Sequence, residues 1–142
     1  KRAISAVVAA AAAKDIGIRA EAEGPLLLSH DPRWTEEAVF NLLDNAVKYT
    51  GRGGRIGLSV RKGEIFAEIH VKDTGKGIPL ERQAEIFTRF YREPEVHDVE
   101  GIGIGLYLTR RIAELQGGYV EVRSREGEGA DFAICLPLQE RE

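Results

Sequence analysis

The residues from Asp31 to Thr50, DPRWTEEAVFNLLDNAVKYT, carry the clearest structural pattern in the chain. Asp31 can cap a helix, and Pro32 suits its first turn. The apolar residues that follow recur at helical spacing and form one stripe, which comprises Trp34, Ala38, Val39, Leu42, Leu43, Ala46 and Val47. The predicted helix ends near Thr50, before a glycine-containing loop. One face of this helix is therefore expected to pack against a further layer of structure.

Patterns typical of helices and strands lie on both sides of this helix. The alanine run Ala9–Ala13 predicts a helix over residues 1–14, because alanine has the highest helix propensity. Alternating residues predict a hairpin, whose return strand Ile65–Lys72 places on one face Ile65, Ala67, Ile69 and Val71. The other predicted elements are strand 17–22, helices 80–90 and 106–116, and a hairpin of strands 119–124 and 131–136. This order predicts an α+β fold, a two-layer sandwich in which helices cover one face of a mixed, mostly antiparallel sheet.

Composition and charge exclude several classes of protein. The 142 residues include 20 Lys+Arg and 23 Asp+Glu, and the formal net charge of -3 leaves no large positive field for coating nucleic acid. The single Cys135 excludes an internal disulfide framework and a zinc site built on a cysteine cluster. The longest apolar stretch, Ala6–Ala13, is too short to cross a bilayer, and no signal peptide is recognisable. The chain begins at Lys1 and contains no Met, so we expect a single domain, residues 1–142, cut from a longer protein.

The polar face of the long helix presents Asn41, Asn45 and Lys48 at positions i, i+4 and i+7. Two amide oxygens one turn apart are hard, neutral ligands that suit Mg²⁺, an ion that keeps several waters and binds phosphate oxygens. A lysine one turn further along suits a phosphate contact. The alternative is an ordinary solvated helix face, and this stretch by itself favours that alternative.

The stretch Asp73-Thr-Gly-Lys-Gly-Ile-Pro79 directly follows a predicted strand. Its two glycines allow the backbone to approach a flat ligand closely. An ionised Asp73 only accepts hydrogen bonds, so it can pair with the exocyclic amino group of adenine, whereas guanine presents a carbonyl at that position. The alternative interpretation is a plain Asp-x-Gly turn, which is common.

Two further stretches are weak evidence when each is taken singly. Gly101-Ile-Gly-Ile-Gly-Leu106 runs into a predicted helix, whose free N–H groups and dipole favour phosphate. Its glycine spacing differs from that of the dinucleotide-binding fingerprint, and no predicted strand leads into it. Ile86-Phe-Thr-Arg-Phe-Tyr-Arg92 combines aromatic residues, which usually serve packing, with Arg92, whose guanidinium is suited to closing on a phosphate.

Taken in order, these four stretches resemble the N, G1, F and G2 boxes of the ATP-binding domain of sensor histidine kinases. The matching segments are Asn41–Thr50, Asp73–Pro79, Ile86–Arg92 and Gly101–Leu106, and the resemblance extends from about Lys1 to Leu138. That domain belongs to a superfamily shared with gyrase, a heat-shock chaperone and the mismatch-repair ATPase. Each motif is weak alone, but four motifs in the family's order are strong evidence.

The resemblance implies a role for each matching residue. Asn45 would ligate the Mg²⁺ ion that bridges the ATP phosphates, and Asn41 would support it. Lys48 would reach the phosphates, and Tyr49 would lie near the adenine or the ribose. Asp73 would accept a hydrogen bond from the adenine amino group. The other nucleotide-binding residues that it implies shape the base pocket or contact the phosphates, and they are Gly75, Gly77, Ile78, Arg92, Gly101, Gly103, Gly105 and Leu106.

The resemblance also implies a mobile ATP lid over residues 79–104, and it makes residues 1–14 the end of a linker from a separate helical hairpin. No catalytic acid or base is identifiable, so catalysis would consist of positioning and charge neutralisation. The sequence departs from the family at two positions. Ile102 replaces a small hydroxyl residue, and Ala130 replaces a threonine that commonly helps to bind adenine through water.

Two other functions stay open beside phosphoryl transfer to a histidine. The gyrase- and chaperone-type ATPases resemble one another in placing a Glu one turn before the metal-binding Asn, where it acts as general base on water. Here Asn41 holds that position and cannot take a proton, and Glu37 lies a further turn away. Hydrolysis is therefore disfavoured, as is a serine kinase of the anti-sigma type. The retained Asn45 and Asp73 and the lid glycines argue against a degenerate binding module.

The partners that the resemblance implies are ATP, a histidine on a dimerisation hairpin and, indirectly, a response regulator whose Asp receives the phosphoryl group. None of the histidines fits as the phosphorylated residue: His30 precedes the helix cap, His70 lies in a predicted strand and His97 lies in the lid. Contact with nucleic acid or with a membrane is not expected for this fragment. We expect a monomeric cytoplasmic domain whose parent is a homodimer anchored in the cell membrane.

Overall fold

The computed structural model describes residues 8–9, 11–22, 32–78, 83, 86, 105–125 and 127–138. In chain order its strands and long helices are β1 (Gly17–Ala22), α1 (Pro32–Tyr49), β2 (Arg55–Lys62), β3 (Phe66–Asp73), α2 (Gly105–Leu115), β4 (Tyr119–Ser124) and β5 (Ala130–Pro137). Residues 8–9 and 11–13 are also helical. The proposed cap Asp31 lies outside the described residues, as does nearly all of the predicted helix 80–90 and of the predicted lid 79–104.

The five strands form one mixed sheet in the order β1-β2-β3-β5-β4. Strand β1 runs parallel to β2, and every other neighbouring pair is antiparallel. The central strand β3 pairs with β5 in a register that places Asp73 opposite Ala130. The predicted fold class, a mixed and mostly antiparallel sheet combined with helices, is confirmed.

Helices α1 and α2 pack against each other and cover one face of this sheet. The residues that fill the space between the layers are apolar and buried, and they include Leu42, Leu43, Ile56, Val71, Phe132, Ile134 and Leu136. Alternate residues of β3 point into this core, as the hairpin pattern predicted. In the part of the chain that the structure describes, no helix combines the length and the hydrophobicity that crossing a membrane requires.

Two residues assigned to buried faces prove to be exposed. Trp34 is 57% exposed, whereas the neighbouring Thr35 is buried. At about 100° per residue, Trp34 lies roughly 130° from the centre of the buried stripe of α1, while Thr35 lies within about 30° of it. Ile65 is 69% exposed, because β3 begins one residue later and Ile65 belongs to the turn. The N–H of Gly63 closes that turn by donating to the carbonyl of Phe66 at 2.8 Å.

Helix α2 ends at the predicted glycine pair. The N–H of Gly117 donates to the carbonyl of Glu114, and the N–H of Gly118 donates to the carbonyl of Ala113, which is the hydrogen-bond pattern of a Schellman motif. Gly117 has a φ of 82°, in the left-handed region that favours glycine. The chain therefore reverses directly from α2 into β4.

Candidate functional site

The polar face of α1 carries four half-buried side chains at positions i, i+3, i+4 and i+7, which are Asn41, Asp44, Asn45 and Lys48. The residues between them, Leu42, Leu43, Ala46 and Val47, are buried in the core. Packing of these apolar residues fixes the rotation of the helix about its axis. The three polar residues predicted from the sequence therefore share one fixed surface, and Asp44 lies among them.

The amide nitrogen of Asn41 is buried and has no hydrogen-bond partner among the described residues. The first residue of α2 lies beside it, because a Cβ added to Gly105 would be 3.9 Å from Cβ and Cγ of Asn41. A helix leaves the N–H groups of its first turn without intrahelical partners, and its dipole favours negative charge there. Asn41 and the start of α2 thus offer several donors to one anionic group.

Lys48 forms an ion pair with Asp44, with its ammonium 2.9 Å from the carboxylate one helical turn earlier. The two side chains are 31% and 37% exposed. Ion pairs with this exposure contribute little to stability, so Lys48 can exchange Asp44 for another anion at small cost. The pair directs the Lys48 side chain back along α1, towards Asn45 and Asn41.

Asp73 ends the central strand β3 and is only 6% exposed. Its Oδ1 accepts the N–H of Gly75 at 2.8 Å, and the N–H of Ala130 also donates to the carboxylate. Burial raises the pKa of Asp73, the two N–H donors oppose this shift, and the nearby charge of Asp131 adds to it. The protein thus orients a buried carboxylate by its backbone, at a cost in desolvation.

Gly75 joins the carboxylate to the end of α1. A Cβ at this position would lie 2.5 Å from the carbonyl oxygen of Tyr49 and 2.9 Å from Oδ1 of Asp73. Only glycine permits this approach, which brings the Tyr49 end of α1 next to the Asp73 loop. The ammonium of Lys76 lies 5.2 Å from the centroid of the Tyr49 ring, within the range of a cation–π contact.

Gly77 is required by the chain's own backbone. Its φ is 73°, and a Cβ there would collide with the carbonyl oxygen of Arg125 in the turn between β4 and β5. The sequence predicts that this glycine lets the backbone approach a flat ligand, and that role stays a prediction. The contact with Arg125 also explains how the Asp73 loop is held against the sheet.

A small polar network secures the end of this loop. The N–H of Ile78 donates to Oγ of Ser124 at 2.8 Å, and that hydroxyl donates in turn to the carbonyl of Gly129. The amide of Gln83 donates to the carbonyls of Ile78 and Ser124 at 3.0 and 2.9 Å. Ile78 itself is partly buried and packs on the core. The loop from Asp73 to Ile78 is therefore attached to β3, β4 and β5 together.

The polar face of α1 carries oxygen atoms of the kind that could hold a magnesium ion. Asn45 and Asn41 offer amide oxygens, and Asp44 lies on the same face of α1. No group of three or more His, Cys, Asp or Glu side chains suited to a metal occurs in the described part of the chain. Mg²⁺ fits such a sparse site, because it keeps several waters and takes phosphate oxygens as ligands. The amide nitrogen of Asn41, which has no partner among the described residues, is a hydrogen-bond donor; it can therefore bind a phosphate oxygen but cannot coordinate Mg²⁺.

The structure brings most of the predicted site together. The polar face of α1, the Asp73 loop and the start of α2 meet through the contacts of Gly75 with Tyr49 and of Gly105 with Asn41. Leu106 is partly buried against the core. Arg92, Gly101 and Gly103 lie outside the described residues, so their predicted phosphate contacts stay predictions.

Sequence reasoning missed several residues that shape the site. Asp44 had a recognisable signal, since it lies one turn before Lys48 on the same helix face. Lys76 stands between the two glycines of the Asp73 motif, and its ring contact depends on the fold. Gln83 and Ser124 are distant in sequence and had no signal before the strands were placed.

Comparison with known proteins identifies the family of this chain. Residues 30–140 match the family described as histidine kinase-, DNA gyrase B-, and HSP90-like ATPase. The chain belongs to this family. It is 43% identical over 110 residues to the adaptive-response sensory kinase SasA of Parasynechococcus marenigrum, covering 76% of this chain and 29% of that protein. It is 38% identical over 125 residues to the sensor protein kinase PmrB of Pseudomonas aeruginosa, covering 87% of this chain and 26% of that protein.

Solved structures of this family have the same fold. The mycobacterial sensor histidine kinase MprB has a TM-score of 0.82 and 26% sequence identity, with 99% of this chain and 96% of that chain covered. Full-length ShkA in complex with AMPPNP has a TM-score of 0.85 and 27% identity, with 99% of this chain and 29% of that chain covered. The predicted membership of the histidine kinase family is thus confirmed, and membership implies ATP binding. The chain spans less than a third of the SasA and PmrB proteins that it matches.

Proposed function

We propose that this domain binds Mg-ATP across the polar face of α1, the Asp73–Ile78 loop and the start of α2, and donates the γ-phosphoryl group to a histidine on a separate hairpin of a sensor kinase. The observation that carries the proposal is the carboxylate of Asp73. It is buried, its pKa is raised by burial, and backbone N–H groups fix its orientation. A stable core does not need a buried charge, but a base-binding site needs a fixed acceptor.

Different residues of this chain bind the adenine end and the phosphate end of ATP. Asp73 accepts a hydrogen bond from the exocyclic amino group of adenine and is mismatched to the carbonyl of guanine. Lys48 leaves Asp44 to neutralise a phosphate charge. The amide nitrogen of Asn41 and the N–H groups at the start of α2 donate to phosphate oxygens. Tyr49, next to Gly75, lies between these two halves of the site.

Mg²⁺ would be held by Asn45, with support from Asn41, and would neutralise charge on the phosphates as they are transferred. The residues of this chain contribute orientation and complementary charge, which supply most of the catalysis in phosphoryl transfer. The lid over residues 79–104 and the phosphate contacts of Arg92, Gly101 and Gly103 are part of this proposal.

A histidine acceptor is favoured over water by the residue at position 41. The gyrase- and chaperone-type ATPases resemble one another in having a general-base Glu there, and Asn41 cannot accept a proton at neutral pH. Glu37, one turn earlier, is exposed to solvent. The relatives named as sensor kinases support the same choice.

The remaining parts of the proposal concern the parent protein. The histidine lies on its dimerisation hairpin, and a response-regulator Asp receives the phosphoryl group from that histidine. The parent is a homodimer anchored in the cell membrane with this domain in the cytoplasm, and the isolated domain is a monomer.

Titration calorimetry of the isolated domain with Mg-ATP tests the proposal. We expect saturable binding in which the heat signal returns to baseline after each injection, and weaker binding of Mg-GTP. Mixing the domain with the parent's hairpin and γ-labelled ATP should then transfer the label to a histidine of the hairpin. Sustained heat of turnover without the hairpin would identify an ATPase instead. No binding at all would indicate a degenerate module.

A further inference from the structure

The C-terminal end of α1 is capped by a cation from outside the helix. The Nζ of Lys14 donates to the carbonyl of Val47 at 2.7 Å and to that of Lys48 at 3.4 Å. The preceding carbonyl, of Ala46, accepts the N–H of Thr50 at 3.0 Å. The last carbonyls of a helix have no intrahelical partner, and the negative end of its dipole attracts cations. The Lys14 ammonium provides both a hydrogen-bond donor for these carbonyls and a positive charge at this end of the helix.

The segment that carries Lys14 is itself fixed in place. Helical residues 11–13 end with Asp15 at a φ of 53°, and the N–H of Ile16 donates to the carbonyl of Ala11 at 2.9 Å. Ala11 and Ile16 are buried in the core. The carbonyl of Lys14 also accepts the N–H of Gly53 at 3.0 Å, in the loop after α1. The ammonium of Lys14 is therefore held at the helix end by its surroundings.

Lys48 is the basic residue of the last turn of α1 itself. A lysine near the C-terminal end of a helix can hydrogen-bond the last carbonyls of its own helix. In this structure Lys14 already binds two of those carbonyls, and the Lys48 ammonium lies instead on Asp44 at 2.9 Å. Lys48 thus points back along α1, towards the residues proposed to meet the ATP phosphates.

We propose that Lys14 is a positioning residue, which occupies the C-terminal end of α1 and so keeps Lys48 directed towards the phosphate side of the nucleotide site. This inference rests on the proposed function and deepens it, because it assigns a role in phosphate binding to a residue outside all four sequence motifs. Without the Lys14 ammonium at the end of α1, Lys48 would itself bind the last carbonyls of the helix and would no longer reach the phosphates.

The test is a double-mutant cycle on nucleotide affinity in the isolated domain. Lys14→Met should weaken Mg-ATP binding roughly tenfold, a loss on the scale of one charge-assisted contact. It should leave adenosine binding unchanged, because adenosine has no phosphate for Lys48 to reach. In a Lys48→Met background the Lys14 substitution should have no further effect. Lys14→Arg should keep most of the affinity, since a guanidinium also donates to carbonyls.

Arg52→Gln is the matched control. Arg52 joins the same two segments, with Nη1 donating to the carbonyl of Ala13 at 3.3 Å and Nε 3.5 Å from the carboxylate of Asp15, but it does not bind the α1 carbonyls. The control should lose some stability and keep its ATP affinity. Equal losses for ATP and adenosine in Lys14→Met, additivity with Lys48→Met, or the same loss in Arg52→Gln would each overturn the inference.

A nucleotide-free measurement separates this inference from the proposed function. If the unmodified domain does not bind Mg-ATP, the proposed function fails, and NMR contacts between the Lys48 side chain and Asp44 still report the position of Lys48. Those contacts should be present in the unmodified domain and in Arg52→Gln, and absent in Lys14→Met. Their persistence in Lys14→Met would show that Lys14 does not direct Lys48.

Discussion

Replacing Asp73 by asparagine separates base recognition from the fold. In the unmodified protein the N–H of Gly75 donates to Oδ1 at 2.8 Å, and the N–H of Ala130 donates to the same carboxylate. The asparagine must keep its amide oxygen opposite the Gly75 N–H, so its NH₂ group takes the place of the other carboxylate oxygen. Under the proposed function, the adenine amino group would then meet a donor in place of an ionised acceptor.

The two effects on binding and on stability have opposite signs. The lost charge-assisted hydrogen bond, together with the unpaired donors, is worth about 3 kcal/mol, which corresponds to roughly 100-fold weaker Mg-ATP binding. Burial raises the pKa of Asp73, so the folded protein holds this proton more tightly than the unfolded chain. The ionised side chain therefore reduces stability above its folded-state pKa, and the reduction disappears as the pH falls through that pKa. Without nucleotide, Asp73→Asn should unfold at the same or a higher temperature at neutral pH.

Calorimetric titration and thermal unfolding of the same samples measure both quantities. Asp131→Asn is the control, because Asp131 pairs in register with Lys72 and points to the opposite face of the sheet from Asp73. It should bind Mg-ATP normally. Unchanged affinity in Asp73→Asn would refute base recognition by this side chain. A large fall in its unfolding temperature would show that the carboxylate serves the fold.

Three further changes test other parts of the domain. Asn45→Ala should remove the Mg²⁺ dependence of ATP binding in calorimetry; a retained dependence would contradict its role as a ligand. Burial opposes the charge of His70, but the carboxylates of Asp131 and Glu68, 2.9 and 2.7 Å away, raise its pKa. The ion pairs of charged His70 therefore stabilise the folded state fully below the unfolded-state pKa of about 6.5, and this stabilisation is lost as the pH rises through the folded-state pKa. His70→Gln should accordingly lower the unfolding temperature at acid pH and hardly change it at alkaline pH. Gly77→Ala should cost at least about 1–2 kcal/mol in urea unfolding, since its φ of 73° disfavours a side chain; unchanged stability would refute this reason for the glycine.

Local patterns were enough to predict most of the fold. The stripe of α1 and the alternation in β3 each depend on residues within one element, so their period reports which face is buried. The glycine pair after α2 was recognisable for the same reason, because a Schellman motif is a local structure. Trp34 shows that an apolar residue near the start of a helix need not lie on its buried face. At about 100° per residue, its position on α1 falls outside the buried stripe.

Contacts between distant segments could not be predicted. The ammonium of Lys14 reaches carbonyls 33 and 34 residues away, and Gln83 bonds a carbonyl 41 residues away. Nothing in the neighbourhood of either residue indicates these partners. The parallel pairing of β1 with β2 is equally non-local, as it depends on the long connection through α1. The four motifs were enough to predict which segments form the site, whereas the residues that connect those segments became apparent only in the tertiary structure.

Ala130 stands where the sequence resemblance implies a threonine, and it contributes to the site through its backbone. Ala130 lies opposite Asp73 in the ladder and donates its backbone N–H to the carboxylate, and this contact does not depend on the side chain. Gly75 supplies the other backbone donor. The orientation of Asp73 is therefore preserved, and only a side-chain hydroxyl is absent. Under the proposed function, the selectivity for adenine therefore rests on the direct hydrogen bond that Asp73 would accept, and this bond does not require a threonine hydroxyl.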